Sequence, residues 1–245
     1  MESTVLSVFL YASLTALATG LGALPLYLMR DVPDRWVGLG NAVAAGLMLS
    51  ASFNLVFEGI RYGMPRTMIG VLLGLGGIVL SRKLLPKEKV PSVGDLAGAG
   101  AIKAVLIVGV MTVHSFAEGI GVGVSFGETS EFGAFISLAI AVHNIPEGLA
   151  ISLILVPRGE AVWQAALWSI FSSLPQPLMA VPAFLFVEWF EPVLPVGLGV
   201  AAGAMIWMVF SELVPEALEK SSPNAVAVAV TIAVAAMMAF QVLIH

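Results

Sequence analysis

The stretch from Glu131 to Val156, EFGAFISLAIAVHNIPEGLAISLILV, sets His143, Asn144 and Glu147 near the middle of an otherwise apolar run. A helix needs roughly 20 mostly apolar residues to cross the hydrocarbon core of a bilayer, and this run is long enough. It shows none of the sustained polar–apolar alternation that every strand of a membrane barrel requires. The rest of the chain reads the same way. Of its 245 residues, 59% are hydrophobic and 11% charged, with a mean hydropathy of +0.99. A soluble domain carries about 25% charged residues and needs that polar surface to cover its core. The composition excludes an ordinary cytosolic enzyme, a disordered chain and a nucleic-acid binder. Cysteine is absent, which excludes a disulfide framework, thiol catalysis and a thiolate metal site.

Eight spans are expected, at about 4–29, 36–60, 66–84, 100–125, 131–156, 161–187, 193–217 and 224–244. The fold class is therefore all-α: a polytopic bundle of eight transmembrane helices, one domain over 1–245, set in a lipid bilayer. Charged or turn-rich pieces separate the spans, such as Arg30-Asp31-Val32-Pro33-Asp34-Arg35 and the short loop at 85–99. With the N-terminus outside, the inward loops hold Arg30, Arg35, Arg82, Lys83, Lys87, Lys89, Lys103, Arg158 and Lys220, and the outward loops only Arg61 and Arg66. The positive-inside rule then places both termini outside and the 85–99 loop in the cytoplasm. Met1-Glu2-Ser3-Thr4 lacks the basic start of a signal peptide, so the first span is read as a retained helix. No transit peptide is visible, and a bacterial or archaeal cytoplasmic membrane is the expected location. Glu128, Glu131, Glu188 and Glu191 fall in outward loops. They read first as solvated loop charges, and second as a mild negative field that attracts cations.

Glu58, Glu118, Glu147 and Glu212 fall inside apolar spans. Each such charge costs about 2.5–3.5 kcal/mol on the insertion scale, so four together cost on the order of 10 kcal/mol unless partners, water or a cation offset them. The fourth and fifth spans repeat one pattern. His114-Ser115-Phe116-Ala117-Glu118-Gly119 and His143-Asn144-Ile145-Pro146-Glu147-Gly148 each hold His and Glu at i, i+4, which stacks them on one helix face. A single pair reads equally as a buried strut. Two matching pairs in consecutive spans present two imidazoles and two carboxylates to one point, a set that suits zinc and neighbouring divalent metals. The third histidine, His245, is the last residue and reads as tail. Pro146 leaves the Val142 carbonyl without its helical donor, so a kink and a spare oxygen are expected there. Gly119, Gly121, Gly123 and Gly148 permit close helix approach.

Asn54 and Glu58 in the second span, also i, i+4, and Glu212 in the seventh are candidate pathway residues. Each reads equally as a helix-to-helix hydrogen bond. Ser172 and Ser173 read as packing. The strongest rival function is an intramembrane zinc-dependent hydrolase, which also needs His and acidic residues facing a membrane cavity. Against it, the chain has no His-Glu-x-x-His. It has no Walker-type run to drive a pump either.

At these residues the sequence resembles the ZIP (Zrt/Irt-like) family of divalent metal transporters, in its short prokaryotic and organellar branch. The two His/Glu segments resemble that family's fourth- and fifth-helix motifs. The resemblance implies eight spans with both ends outside, and a mid-membrane metal site, sometimes binuclear. It also implies that helices 1, 4, 5 and 6 move against 2, 3, 7 and 8, with metal carried toward the cytoplasm by a homodimer. His114, Glu118, His143 and Glu147 match the primary ligands, and Asn144 matches a ligand position for a second ion. Ser115 stands where many members carry Asn, and Gln176 where many carry a sixth-helix Glu. One strong site and a weak or absent second one are therefore expected. The inner loop lacks the histidine-rich tract of many members. The implied activity is secondary transport, not catalysis, with no cofactor. Zinc leads as the substrate, and iron, manganese and cadmium suit the same ligands. Because those ligands bind metal only when deprotonated, uptake is expected to fall on acidification.

Overall fold

The computed structural model describes residues 4–28, 33–84 and 99–244, and every regular element among them is helical. The chain opens with α1 (Val5–Gly20), continued by a 3₁₀ turn and the short α2 (Leu24–Tyr27). Thr4 caps α1: its hydroxyl accepts from Ser7 N, and Ser7 Oγ accepts from Thr4 N. A single long helix, α3, runs from Asp34 to Leu84 and leaves helical dihedrals at Gly63 (φ 159°, ψ 101°). The expected spans 36–60 and 66–84 are its two legs. Pro65, which has no N–H to donate, stands at the start of the second leg.

Next come α4 (Ala99–Glu128) and α5 (Ser130–Leu155), the latter capped by Thr129, whose hydroxyl accepts from Phe132 N. The expected span 161–187 appears as α6 (Val162–Ser173) and α7 (Pro175–Leu185), parted at Leu174 before Pro175. After the short α8 (Val187–Phe190), α9 (Leu194–Met208) widens into a π-helical turn over Val209–Leu213 and continues as α10 (Val214–Lys220). The last helix is α11 (Pro223–Ile244). Six helical stretches are individually long and apolar enough to cross a membrane. In this count α3 is one stretch, and α6 and α7, at 12 and 11 residues, are each too short to be included. The chain is an integral membrane protein. Residues 85–98, most of the expected loop, and His245 lie outside the described residues.

Two groups of helices form. One comprises α1 and α4–α7. The other comprises α3 and α9–α11, with the most extensive packing of the molecule between α3 and α9. The seam between them is made by α4 on α9 and α3 on α5. Glycine governs how closely the helices approach. A Cβ on Gly74 of α3 would fall 2.2 Å from Val200 O of α9, and one on Gly148 of α5 only 1.7 Å from Thr19 O of α1. Gly119 and Gly123 of α4 do the same for α7, at 2.5 Å from Gln176 O and 2.3 Å from Ala180 O. Gly121 differs from the expectation. A Cβ there meets nothing within 4 Å, because this face of α4 borders a cavity. Pro146 lies inside α5, which runs from Ser130 to Leu155.

The main apolar core lies on one side of the motif residues. It joins Ala44, Ala45 and Met48 of α3, Ile107 and Met111 of α4, Ile151 and Ile154 of α5, and Met205, Met208 and Leu213. All of these sit toward the end of the molecule that carries Arg158. The cavity lies on the other side, toward the Gly63 bend.

Candidate metal centre

The i, i+4 spacing stacks His114 on Glu118 along α4 and His143 on Glu147 along α5, and packing of α4 against α5 turns the two faces together. His114 Nε2 lies 2.8 Å from Glu147 Oε1 and 3.2 Å from Glu118 Oε1. His143 Nε2 lies 3.0 Å from the same Glu147 oxygen. The two imidazole rings are 5.5 Å apart between centroids and 25° from parallel. One ligand atom from each of the four side chains lies within 4.8 Å of the others, and all four residues are buried. Around a tetrahedral zinc with bonds of about 2.0–2.1 Å, ligand atoms stand roughly 3.3 Å apart. A modest rearrangement, widening the closest contacts and shortening the longest, therefore closes this set on one ion. Glu147 Oε2 has no hydrogen-bond partner, and both motif carboxylates crowd onto the one His114 Nε2. An unpaired buried polar atom costs about 1–3 kcal/mol, and more when charged, so a dication at their centre relieves a real deficit.

The other predicted residues divide. Asn144 and Gln176 sit beside the four, fully buried, in one hydrogen-bonded chain. Asn144 Nδ2 donates to Thr15 O at 2.8 Å and to Gln176 Oε1 at 3.1 Å. Thr15 Oγ1 donates to the same Gln176 oxygen at 2.7 Å, and Gln176 Nε2 donates to Glu118 Oε2. The Gln176 carboxamide thus spends its oxygen on α1 and α5 and turns its N–H toward the motif glutamate. The close approach at Gly119 brings it there. Asn144 Oδ1 and the buried Ser115 hydroxyl have no hydrogen bond. Ser172 Oγ donates to Ser169 O, and Ser173 shares a hydrogen bond with Thr19, as packing residues do.

Asn54 and Glu58 line an open cavity whose floor is Glu118 and His143. Its wall rises in step along three helices: Asn54, Glu58 and Tyr62 on α3, Gly121 and Ser125 on α4, Ile140 and Ile136 on α5. Glu58 is closer to the rim than its place in the expected span suggests. Its side chain is 27% exposed and pairs with Arg61 at 3.2 Å. Glu212 is elsewhere, buried on the π-helical turn beyond the apolar core.

Thr15 and Thr19 were not singled out in the sequence. The available signal was their own i, i+4 spacing in an apolar helix. Tyr62 and Ser125 were missed because the cavity depends on packing between helices distant in sequence.

Comparison with known proteins agrees with this geometry. Residues 85–241 match the family model described as ZIP Zinc transporter. A provisionally named zinc transporter of Arabidopsis thaliana is 49% identical over 98% of this chain, which spans 39% of that protein's length. The zinc transporter GufA of Myxococcus xanthus is 35% identical over 84% of this chain and 87% of its own length. The zinc transporter ZIPB of Bordetella bronchiseptica is 33% identical over 81% of the chain and 69% of its own. With its family model matched over well more than half of its length and its four motif side chains meeting in one buried cluster, this chain belongs to the ZIP zinc transporter family.

Proposed function

We propose that the chain is a secondary transporter that carries a divalent transition-metal cation across the membrane toward the cytoplasm, with zinc as its first substrate. Iron, manganese and cadmium suit the same donors. The observation that carries this reading is the convergence of His114, Glu118, His143 and Glu147, with one Glu147 oxygen unpaired, at the floor of a cavity open at one end. The ion descends past Glu58 and Asn54, loses water, and is held by the four ligands. Rigid movement of the α1, α4–α7 group against the α3, α9–α11 group then opens the opposite side. Glu212 lies on that release side. The family is one of transporters, which sets the hydrolase aside.

The topology belongs to the same proposal. The two legs of α3 and the α6–α7 pair each count as crossings, so eight helices cross and both termini lie outside. The Gly63 end is then the outer face and the Arg158 end the cytoplasmic one. Assembly as a homodimer follows the family resemblance. A bacterial or archaeal membrane has less behind it, since the relative at 49% identity is a plant protein.

Zinc uptake into proteoliposomes tests the proposal. The expected result is saturable uptake that is lost with either His143→Ala or Glu147→Ala. Absence of uptake by the unaltered protein, or full uptake by these variants, overturns it. Zinc-dependent cleavage of a lipid or peptide would reinstate the hydrolase.

A further inference from the structure

The cytoplasmic end of the seam holds polar groups that the metal site does not use. Arg158, just past α5, donates through Nη1 to Ile154 O at 2.9 Å, while Nη2 lies 3.4 Å from Glu216 Oε1 of α10. The pair ties the α1, α4–α7 group to the α3, α9–α11 group. The Glu216 side chain is only 4% exposed. Loss of the Arg158 contact from this mostly buried carboxylate weakens the closed arrangement.

Asn41 of α3 is fully buried, and neither its Oδ1 nor its Nδ2 has a hydrogen-bond partner. Its place follows from its neighbours. Val37, one turn earlier, packs on Leu153 of α5. Ala44, Ala45 and Met48, one or two turns later, pack with Ile151, Ile154 and Leu213. Ala42 packs on Ala217, the residue after Glu216, and a Cβ on Gly38 would lie 3.1 Å from Ala217 O. Asn41 therefore stands in the seam between the inner half of α5 and α10, at the level of Glu216. An apolar residue would fill this position without the penalty of two unpaired polar atoms. The carboxamide gains partners when the seam opens to water or to an ion.

We propose that the Arg158–Glu216 pair is the latch of the cytoplasmic gate, and that Asn41 lines the passage that opens when the latch parts, offering its oxygen to the departing divalent cation. This rests on the transport reading above. Amide and carboxylate oxygens without imidazole hold zinc less selectively than the His/Glu cluster does, which favours release over retention.

The chain has no cysteine, so Asn41→Cys supplies a single thiol. A charged, membrane-impermeant maleimide is applied to the cytoplasmic face of vesicles containing the full chain. Labelling is slow with the latch intact and about five- to tenfold faster when Glu216→Ala is added, the population shift expected from losing one largely buried ion pair. The exchange Arg158→Glu with Glu216→Arg restores slow labelling. Asn54→Cys, in the outer cavity, reports the reverse: its labelling from outside slows when the latch is cut. Equal labelling of Asn41→Cys with and without Glu216→Ala overturns the latch, as does failure of the charge exchange to slow it. A thiol at position 41 that stays unreactive in every background overturns the passage. Should Glu216→Ala not accumulate in the membrane, Arg158→Gln cuts the same pair and carries the same expectations. Labelling needs no metal, so zinc uptake by the unaltered protein tests the transport reading separately.

Discussion

Gln176 shows how one atom sets the capacity of a site. Its N–H faces Glu118, where a second cation would otherwise bring positive charge, and its oxygen is taken by Thr15 and Asn144. With Gln176→Glu, a carboxylate faces the Glu118 carboxylate in a dry site, and a second dication resolves the repulsion. Metal titration of the purified protein is expected to give one ion per chain before the change and two after; an unchanged ratio would refute this account. Loss of His143 or Glu147 acts differently, because each removes a ligand from the only four-residue cluster of this kind among the described residues. Zinc affinity is expected to fall about 10- to 100-fold or more while the far-ultraviolet helical signal stays unchanged. The four ligands were legible in the sequence, because the i, i+4 rule fixes neighbours within a helix. Their supports were not. Thr15 meets Gln176 from 161 residues away, and no local period encodes that contact.

At the scale of elements, glycines decide which helices touch. Gly148→Ala drives a methyl group into the Thr19 carbonyl, 1.7 Å away. Overpacking of this kind costs typically 1–3 kcal/mol, more than the gain of roughly 1 kcal/mol from better helix propensity. A lower thermal midpoint in detergent is the expected outcome. Gly121→Ala meets nothing within 4 Å and is expected to hold or raise that midpoint while narrowing the cavity. Equal midpoints for the two variants would show that the close approach of α1 and α5 carries no weight. Gly119, Gly121, Gly123 and Gly148 read alike in the sequence. Which of them faces a helix and which an open space depends on the rotation of α4 about its axis, a tertiary property. The bends follow the same division. The interval between the expected spans 36–60 and 66–84 was legible as a break, and α3 turns within it, at Gly63. The π-helical turn at Val209–Leu213 leaves no pattern, because a single inserted residue shifts the helical phase without changing composition.

At the scale of the molecule, the cavity reaches Glu118 and His143 from the Gly63 end, while the apolar core closes the other side. The structure therefore has one open face. In the proposed topology, Asn54→Cys is expected to react with an impermeant thiol reagent from outside, and saturating zinc is expected to change that rate by shifting the two helix groups. Reaction solely from the cytoplasmic face would reverse the assigned orientation. The hydropathy of the spans made the helical bundle legible from the start. It did not reveal the asymmetry between a hollow half and a filled one, which arises from how α3, α5 and α9 meet.

The filled half is rich in methionine, with Met48, Met111, Met205 and Met208 all buried there. Thioether chains rearrange readily, yet while they interlock they form an insulating stratum that strips any small ion of its hydration. A carrier built this way is expected to leak little while that layer stays interlocked.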